Sequence, residues 1–254
     1  MRLLILLAAI AVAPGQSSSQ FDIVSIKPSA PDAHNNFMIR SFPGGTLRMA
    51  GVPLRMMIMD AYRVKVFQVS GGPDWVRTER WDVEAKADGF PGRIPRDQED
   101  AMAKAMLADR FQLRVHSSTR KMRVYALEVD RSGSKLKPHT GQDREFRGGY
   151  GSLMVKQGTV ESLADAISRD LGRVVLDRTG LKGDYDYALK WTPDPGEGGP
   201  ETIGLPPSPP AAHPAGGGPD LFTALREQLG LRLTAARAPV RMVVIESVEK
   251  PSAN

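Results

Sequence analysis

Two stretches of this 254-residue chain, 118 positions apart, carry one pattern. Residues 109–129 (DRFQLRVHSSTRKMRVYALEV) and 227–247 (EQLGLRLTAARAPVRMVVIES) align without a gap. Leu113 meets Leu231, Arg114 meets Arg232, Arg123 meets Arg241 and Glu128 meets Glu246. An amphipathic segment precedes each block, at residues 100–107 and 221–228. Each block reads as a helix, a strand, a short charged turn and a second strand. A repeated element order restricts the fold more than any single motif, because both copies must bury their apolar faces in the same way.

The parts in front of these blocks match as well, at an offset of 106. Gly45-Thr46-Leu47-Arg48-Met49 corresponds to Gly151-Ser152-Leu153-Met154-Val155. The next segments have apolar residues at helical spacing: Leu54, Met57, Ile58 and Ala61 in one, Val160, Leu163, Ala164 and Ile167 in the other. Short strands are predicted at residues 64–69 and 174–176. Alternation then predicts half-buried strands at residues 81–86 (WDVEAK) and 185–190 (YDYALK). Residues 21–26 and 37–42 add two more strands near the start. Helices of about ten residues are not stable alone and must pack on a sheet.

The fold class is therefore α+β, built from two small, duplicated strand–helix–strand–strand–helix–strand–strand units. The first unit spans residues 16–130 and includes the N-terminal strand. Residues 131–150 form a linker, and the second unit spans 151–254. Residues 192–219 (TPDPGEGGPETIGLPPSPPAAHPAGGGP) are dominated by Pro and Gly. They read as a mobile insertion that can continue neither a helix nor a central strand. Residues 87–96 are its shorter counterpart.

The N-terminus reads as an address. Arg2 precedes an unbroken apolar run at residues 3–13, followed by Pro14, Gly15 and a polar stretch. A membrane-spanning helix needs about 20 apolar residues, and this run is roughly half that length. A short basic start, an apolar core and small residues make residues 1–15 a signal peptide, with cleavage expected after Gly15. The protein is expected to be exported, periplasmic or extracellular, with no membrane span once the signal is removed.

The chain has no Cys, which excludes disulfides, thiolate metal sites and Cys nucleophiles. The net charge is +5, but 34 basic and 29 acidic residues are interleaved, so no nucleic-acid partner is expected. No H-E-x-x-H, G-x-S-x-G, P-loop or dinucleotide motif occurs. Ser118–Lys121 and Ser132–Lys135 have S-x-x-K spacing, but they are expected in charged turns, where Lys does not face Ser. Asp60, Asp184 and Asp186 lack an evident acid–base partner. Residues 177–183 (DRTGLKG) read as a tight turn, residues 148–151 as linker, and Trp75 as a ring pinning its loop. No catalytic, cofactor-binding or metal-binding residue is assigned, no cofactor is expected, and the binding residues are unknown.

Several motifs in order carry a resemblance. They are residues 21–28 (FDIVSIKP), 71–75 (GGPDW), 81–86 (WDVEAK), 106–111 (MLADRF), 177–181 (DRTGL), Tyr185-Asp186 and 248–251 (VEKP). The chain resembles an exported, uncharacterised paralogous family found in great numbers in some soil bacteria and catalogued as a domain of unknown function. Related domains are sometimes fused to membrane-bound sensor peptidases of the antibiotic-response type, which implies an extracytoplasmic sensing or binding role. The units are also loosely similar to the short N-terminal domains of secretins and TonB-dependent transporters, which bind protein partners. The expected function is thus a non-enzymatic binding or interaction module with a protein or peptide partner in the cell envelope, contacted through exposed strand edges. The alternative is a secreted hydrolase acting on cell-wall or environmental polymer from a cleft between the units.

Overall fold

The computed structural model describes residues 20–30, 37–149, 151–193 and 218–251. The expected signal peptide and most of the 192–219 insertion lie outside the described residues. In chain order the elements are β1 (Ile23–Pro28), β2 (Met38–Phe42), β3 (Thr46–Pro53), α1 (Leu54–Tyr62), β4 (Val69–Gly71), α2 (Trp75–Thr78), β5 (Arg80–Lys86), α3 (Arg96–Arg110) and β6 (Arg114–Val129). The series then recurs as β7 (Lys137–Pro138), β8 (Glu145–Gly149), β9 (Ser152–Gly158), α4 (Val160–Asp170), β10 (Val175–Asp177), β11 (Tyr185–Lys190), α5 (Leu221–Ala224) with a π-type turn at Leu225–Leu229, and β12 (Leu231–Ser247). The fold is α+β. Among the described residues no helix is long and apolar enough to cross a membrane.

Two antiparallel sheets have the same strand order, β1-β5-β3-β2 and β7-β11-β9-β8. Their registers coincide under the repeat: Leu47 opposite Ala85 corresponds to Leu153 opposite Leu189, and Met49 opposite Val83 to Val155 opposite Tyr187. Residues 131–150, read above as a linker, contribute β7 and β8 to the second of these sheets. The helical stripes pack inward as the spacing requires. Leu54, Met57, Ile58 and Ala61 are buried in the first core, and Val160, Leu163, Ala164 and Ile167 in the second.

The third sheet, β10-β6-β12-β4, joins the halves. Its centre is a long antiparallel ribbon of β6 and β12, running from Leu231 opposite Val129 to Ile245 opposite Val115. Lys121 faces Pro239 in this ribbon, and these two residues are themselves 118 positions apart. The internal two-fold axis therefore passes through that pair. On one side β4 adds in parallel, with Val69 opposite Val243; on the other β10 adds with Val175 opposite Tyr125, the equivalent pairing.

The charged turn expected within each block is absent. Each block is a single strand of 16 or 17 residues. Thr119, Lys121, Arg123, Arg237, Pro239 and Arg241 are polar or turn-prone because their face of the mid-ribbon is exposed, not because the chain reverses there. The strand predicted at 64–69 is likewise shorter: a 3-10 turn at Val66–Gln68 precedes β4. Ser118 and Lys121 thus lie in β6, on opposite faces of a strand.

Each long strand begins in its own half and ends in the other. Leu113 and Val115 at the start of β6 join the first core, and Leu127 near its end joins the second. Leu231 at the start of β12 joins the second core, while Val243 and Ile245 join the first. Between them Val124, Ala238, Val240 and Met242 make a small third cluster. Lys65 and Asp165 form an ion pair of 2.8 Å between the halves, and Gln68 donates to the carbonyl of Arg241 at 2.7 Å. The ends of the insertion are close together: Thr192 N donates to Pro219 O at 2.9 Å.

Exchange of strands makes the two cores one cooperative unit. Leu127→Ala and Ile245→Ala, equivalent positions in opposite cores, are each expected to cost about 2–4 kcal/mol. Each variant should unfold in urea in a single transition seen alike by Trp fluorescence, which samples the first core through Trp81 and the second through Trp191, and by far-UV circular dichroism. Two separated transitions would contradict the interlock.

Candidate functional site

Because the halves repeat, each serves as a control for the other, and functional candidates are the places where one copy departs from the shared plan. A β-bulge recurs in both antiparallel sheets. Gly51 (φ 63°) and Gln157 (φ 59°) occupy it, and their amides donate to Asp82 Oδ1 at 2.9 Å and Asp186 Oδ1 at 3.1 Å. A bulge leaves an amide outside the ladder, and the carboxylate supplies its acceptor. In the first half Ser29 Oγ also donates to Asp82, at 2.6 Å. In the second half His139 replaces Ser29: its Nδ1 lies 2.7 Å from Asp186 Oδ1. The backbone is equivalent, with Ser29 N donating to Arg80 O and His139 N to Asp184 O, both at 2.9 Å.

The His139–Asp186 pair has the outline of a base with its orienting acid. The His139 side chain is only 5% exposed, and its Nε2 is buried without a hydrogen-bond partner among the described residues. The amide of Gln157, and after it His139, hold the Asp186 carboxyl below the usual carboxylate range. The Ser29–Asp82 pair assigns the arrangement to the bulge. His139→Ser, which imports the residue of the other half, is expected to cost no more than about 1–2 kcal/mol, and Asp186→Ala about 2–3 kcal/mol because it strips both the bulge amide and the ring of their acceptor. Urea midpoints of the two variants check the order, and a reversal would remove the bulge assignment.

The acidic residues around α3 are engaged. Asp60 pairs with Arg96 at 2.7 Å, Arg96 reaches Glu99 at 3.0 Å and Asp100 at 3.1 Å, and Arg63 binds Asp100. Burial works to lower the Arg96 pKa, but Asp60, Asp100 and Glu99 outweigh it and raise it. Residues 177–183 form the predicted turn, with Asp177 Oδ1 accepting from Thr179 N at 2.8 Å and from Thr179 Oγ1 at 2.7 Å. Ser132 Oγ donates to Asp130 at 3.1 Å, and Lys135 Nζ to Glu227 O at 2.6 Å, so that S-x-x-K pair is apart in function. Trp75 stacks edge-on against Trp81 and lies under Lys250, pinning its loop as expected. Two open cavities, of about 340 and 490 Å³, lie near the ribbon's ends, and neither lining contains a hydroxyl or imidazole side chain. Among the described residues no group of three His, Asp or Glu could hold a metal ion.

The largest departure concerns the second helix of each half. In the first half α3 has 15 residues, and its first turn meets the edge strand β2, where Ser41 Oγ donates to Glu99 and Ile39 packs on the core. In the second half helix begins only at Leu221, the equivalent of Ala103, after Pro214, three glycines and Pro219. Asp220 caps it, accepting from Thr223 N at 2.8 Å. Among the described residues nothing takes the place of α3's first turns over β8. By register, Phe146 stands where Ile39 does and Gly148 where Ser41 does. Phe146 is 62% exposed although it lies on the core-facing side of the sheet, opposite Val155. The edge of β8 and this bare inner face form the candidate binding site. Sequence reading missed it because 131–150 looked like linker; the absence of a counterpart to residues 96–102 was the available signal.

A third departure is at the end of α4, which runs two residues further than α1 and carries Asp170 in a half-buried position. Burial pushes its carboxyl up to about 6, against the opposing pull of Arg169. The folded state thus keeps a proton that the unfolded chain releases, so stability falls as pH rises from about 4 to 6. Asp170→Asn is expected to raise stability by on the order of 2 kcal/mol near neutral pH and to leave it unchanged near pH 3.5, as read from urea midpoints at both pH values.

Comparison with known proteins gives one match. The family described as "Protein of unknown function (DUF3738)" covers residues 55–248, from α1 through the end of β12. No curated protein and no solved structure matches the chain.

Proposed function

The chain belongs to the DUF3738 family, and from that premise we propose that it is an exported, non-enzymatic binding module whose contact surface is the open side of the second antiparallel sheet. The observation that carries this reading is Phe146. An aromatic ring on the inner face of a sheet, 62% exposed, is out of place unless something covers it, and its counterpart Ile39 is half-buried against the first core. Beside it β8 is an edge strand and leaves one side of its backbone unpaired. Export rests on the basic start and short apolar run at residues 1–13. Membership of a paralogous family of soil bacteria, some of whose domains are fused to sensor peptidases, would make the bound partner a signal received outside the cytoplasm. The likeness to secretin and TonB-transporter modules points the same way, toward a protein partner in the envelope.

A photo-crosslinking residue placed at position 146 is expected to trap a defined envelope protein in the source cell, and the same residue at position 39 to trap none. Equal labelling at both positions, together with a measured turnover activity, would replace the binding module by an enzyme.

A further inference from the structure

We infer that the middle of β6 takes up, along its free edge, an extended acidic strand of a partner protein. This surface is apart from the flank beside β8, and the inference stands whether or not that flank binds. The first observation is in the backbone. Tyr125 N donates to Val174 O and Arg178 N to Leu127 O, both at 2.9 Å, so the odd-numbered residues of β6 turn their peptide groups away from β12. β10 pairs only with Tyr125, Ala126 and Leu127. Ser117, Thr119, Lys121 and Arg123, all exposed, therefore leave their N–H and C=O groups along an open edge. The equivalent edge of β12 is closed. Pro239 has no N–H to offer there, and Gln68 Nε2 already donates to Arg241 O at 2.7 Å. Lys121 stands where Pro239 does in the other copy, so one copy blocks strand addition and the other permits it.

Charge decides what kind of strand this edge accepts. Residues 111–127 and 228–245 contain no Asp or Glu. At the limits of these stretches Glu128 pairs with Arg232 and Glu246 with His116. Between them Arg120, Lys121, Arg123, Arg237 and Arg241 are exposed and have no ion pair among the described residues. The ribbon brings these distant cations together and sets Arg123 directly opposite Arg237. Like charges in that position weaken a sheet. The repeat does not require them, since Ala238 and Thr119 are the counterparts of Arg120 and Arg237. A second copy of this chain is repelled from such an edge, where Lys121 and Arg123 would meet their own kind. A strand with Asp or Glu at alternate positions, about 6.8 Å apart, is attracted, because its acids lie beside Lys121 and Arg123 on one face. On the other face its remaining side chains extend the row of Met122 and Val124 and are apolar. The exposed mid-ribbon face carries no aromatic ring on which a nucleic-acid base could stack. A row of alternate peptide groups is matched in register by another peptide backbone and not by a phosphate or sugar polymer.

The probe is a fluorescently labelled peptide of about ten residues alternating Glu and Val, whose acids share one face when it is extended. Saturable binding to the protein is expected by anisotropy, falling as salt is raised. Lys121→Ala is expected to weaken it about threefold to fivefold. Lys121→Pro, which brings in the residue of the other copy and removes the edge N–H as well, is expected to abolish it, with circular dichroism verifying the fold. The same peptide N-methylated at alternate residues keeps its charge, loses its donors and is expected not to bind. Absence of saturable binding overturns the inference. So does equal affinity for the N-methylated peptide or for polyphosphate of the same charge, since charge alone is then read. Self-association of the protein that the peptide reverses would put a second copy on the edge, and a large gain in affinity on deleting residues 194–217 would put the chain's own insertion there; either result overturns the partner strand.

Discussion

The pairing of β6 with β12 is the interaction on which the rest of the structure depends. A two-stranded ribbon of this length is not stable alone in water. Here each end is anchored in a hydrophobic core, and each core takes the end of one strand and the start of the other. Leu127 is buried beside Leu231, while Ile245 and Val243 are buried with Leu113. Neither core is complete until the ribbon has formed in register. A slip of one residue would move every apolar side chain to the opposite face. The third cluster, with Val124, Ala238, Val240 and Met242, fixes the same register at the middle, next to the two-fold axis.

An internal repeat also separates what the fold requires from what it does not. Both halves keep an aspartate under the bulge, at Asp82 and Asp186, because an amide outside the ladder must find an acceptor. Both keep a left-handed residue between the second helix and the long strand, Gln112 in one and Gly230 in the other. At Gly230 a Cβ would collide with the carbonyl of Gly133, so glycine is needed there for space as well as for φ. Elsewhere the halves diverge. The first seats its long helix with Arg96 on the buried carboxylates of Glu99 and Asp100, and among the described residues the second has neither that helix turn nor its ion pairs. The divergence at the edge strand β8, where Phe146 stands exposed in the place of Ile39, makes that flank of the second antiparallel sheet the candidate site.

The repeat, the four-residue stripes of α1 and α4 and the strands β3, β5, β9 and β11 were legible in the sequence, since each follows from apolar spacing over a few residues and needs only one side chain period to be right. The absence of Cys and of motif chemistry was likewise fixed by composition. What the tertiary structure decided is everything that depends on pairing between distant segments. A polar run such as residues 116–123 has the composition of a turn, and only a partner strand 118 positions away makes it the middle of a ribbon. Residues 137–138 and 145–149 are too short and too polar to be recognised as strands, and they become so by adding to β11 and β9. Exposure of Phe146 was invisible for the same reason: whether an aromatic residue is covered depends on how distant segments of the chain come to lie against it. Local propensity sets the elements, but burial is a property of the assembled chain, and burial is what distinguishes a core residue from a binding one.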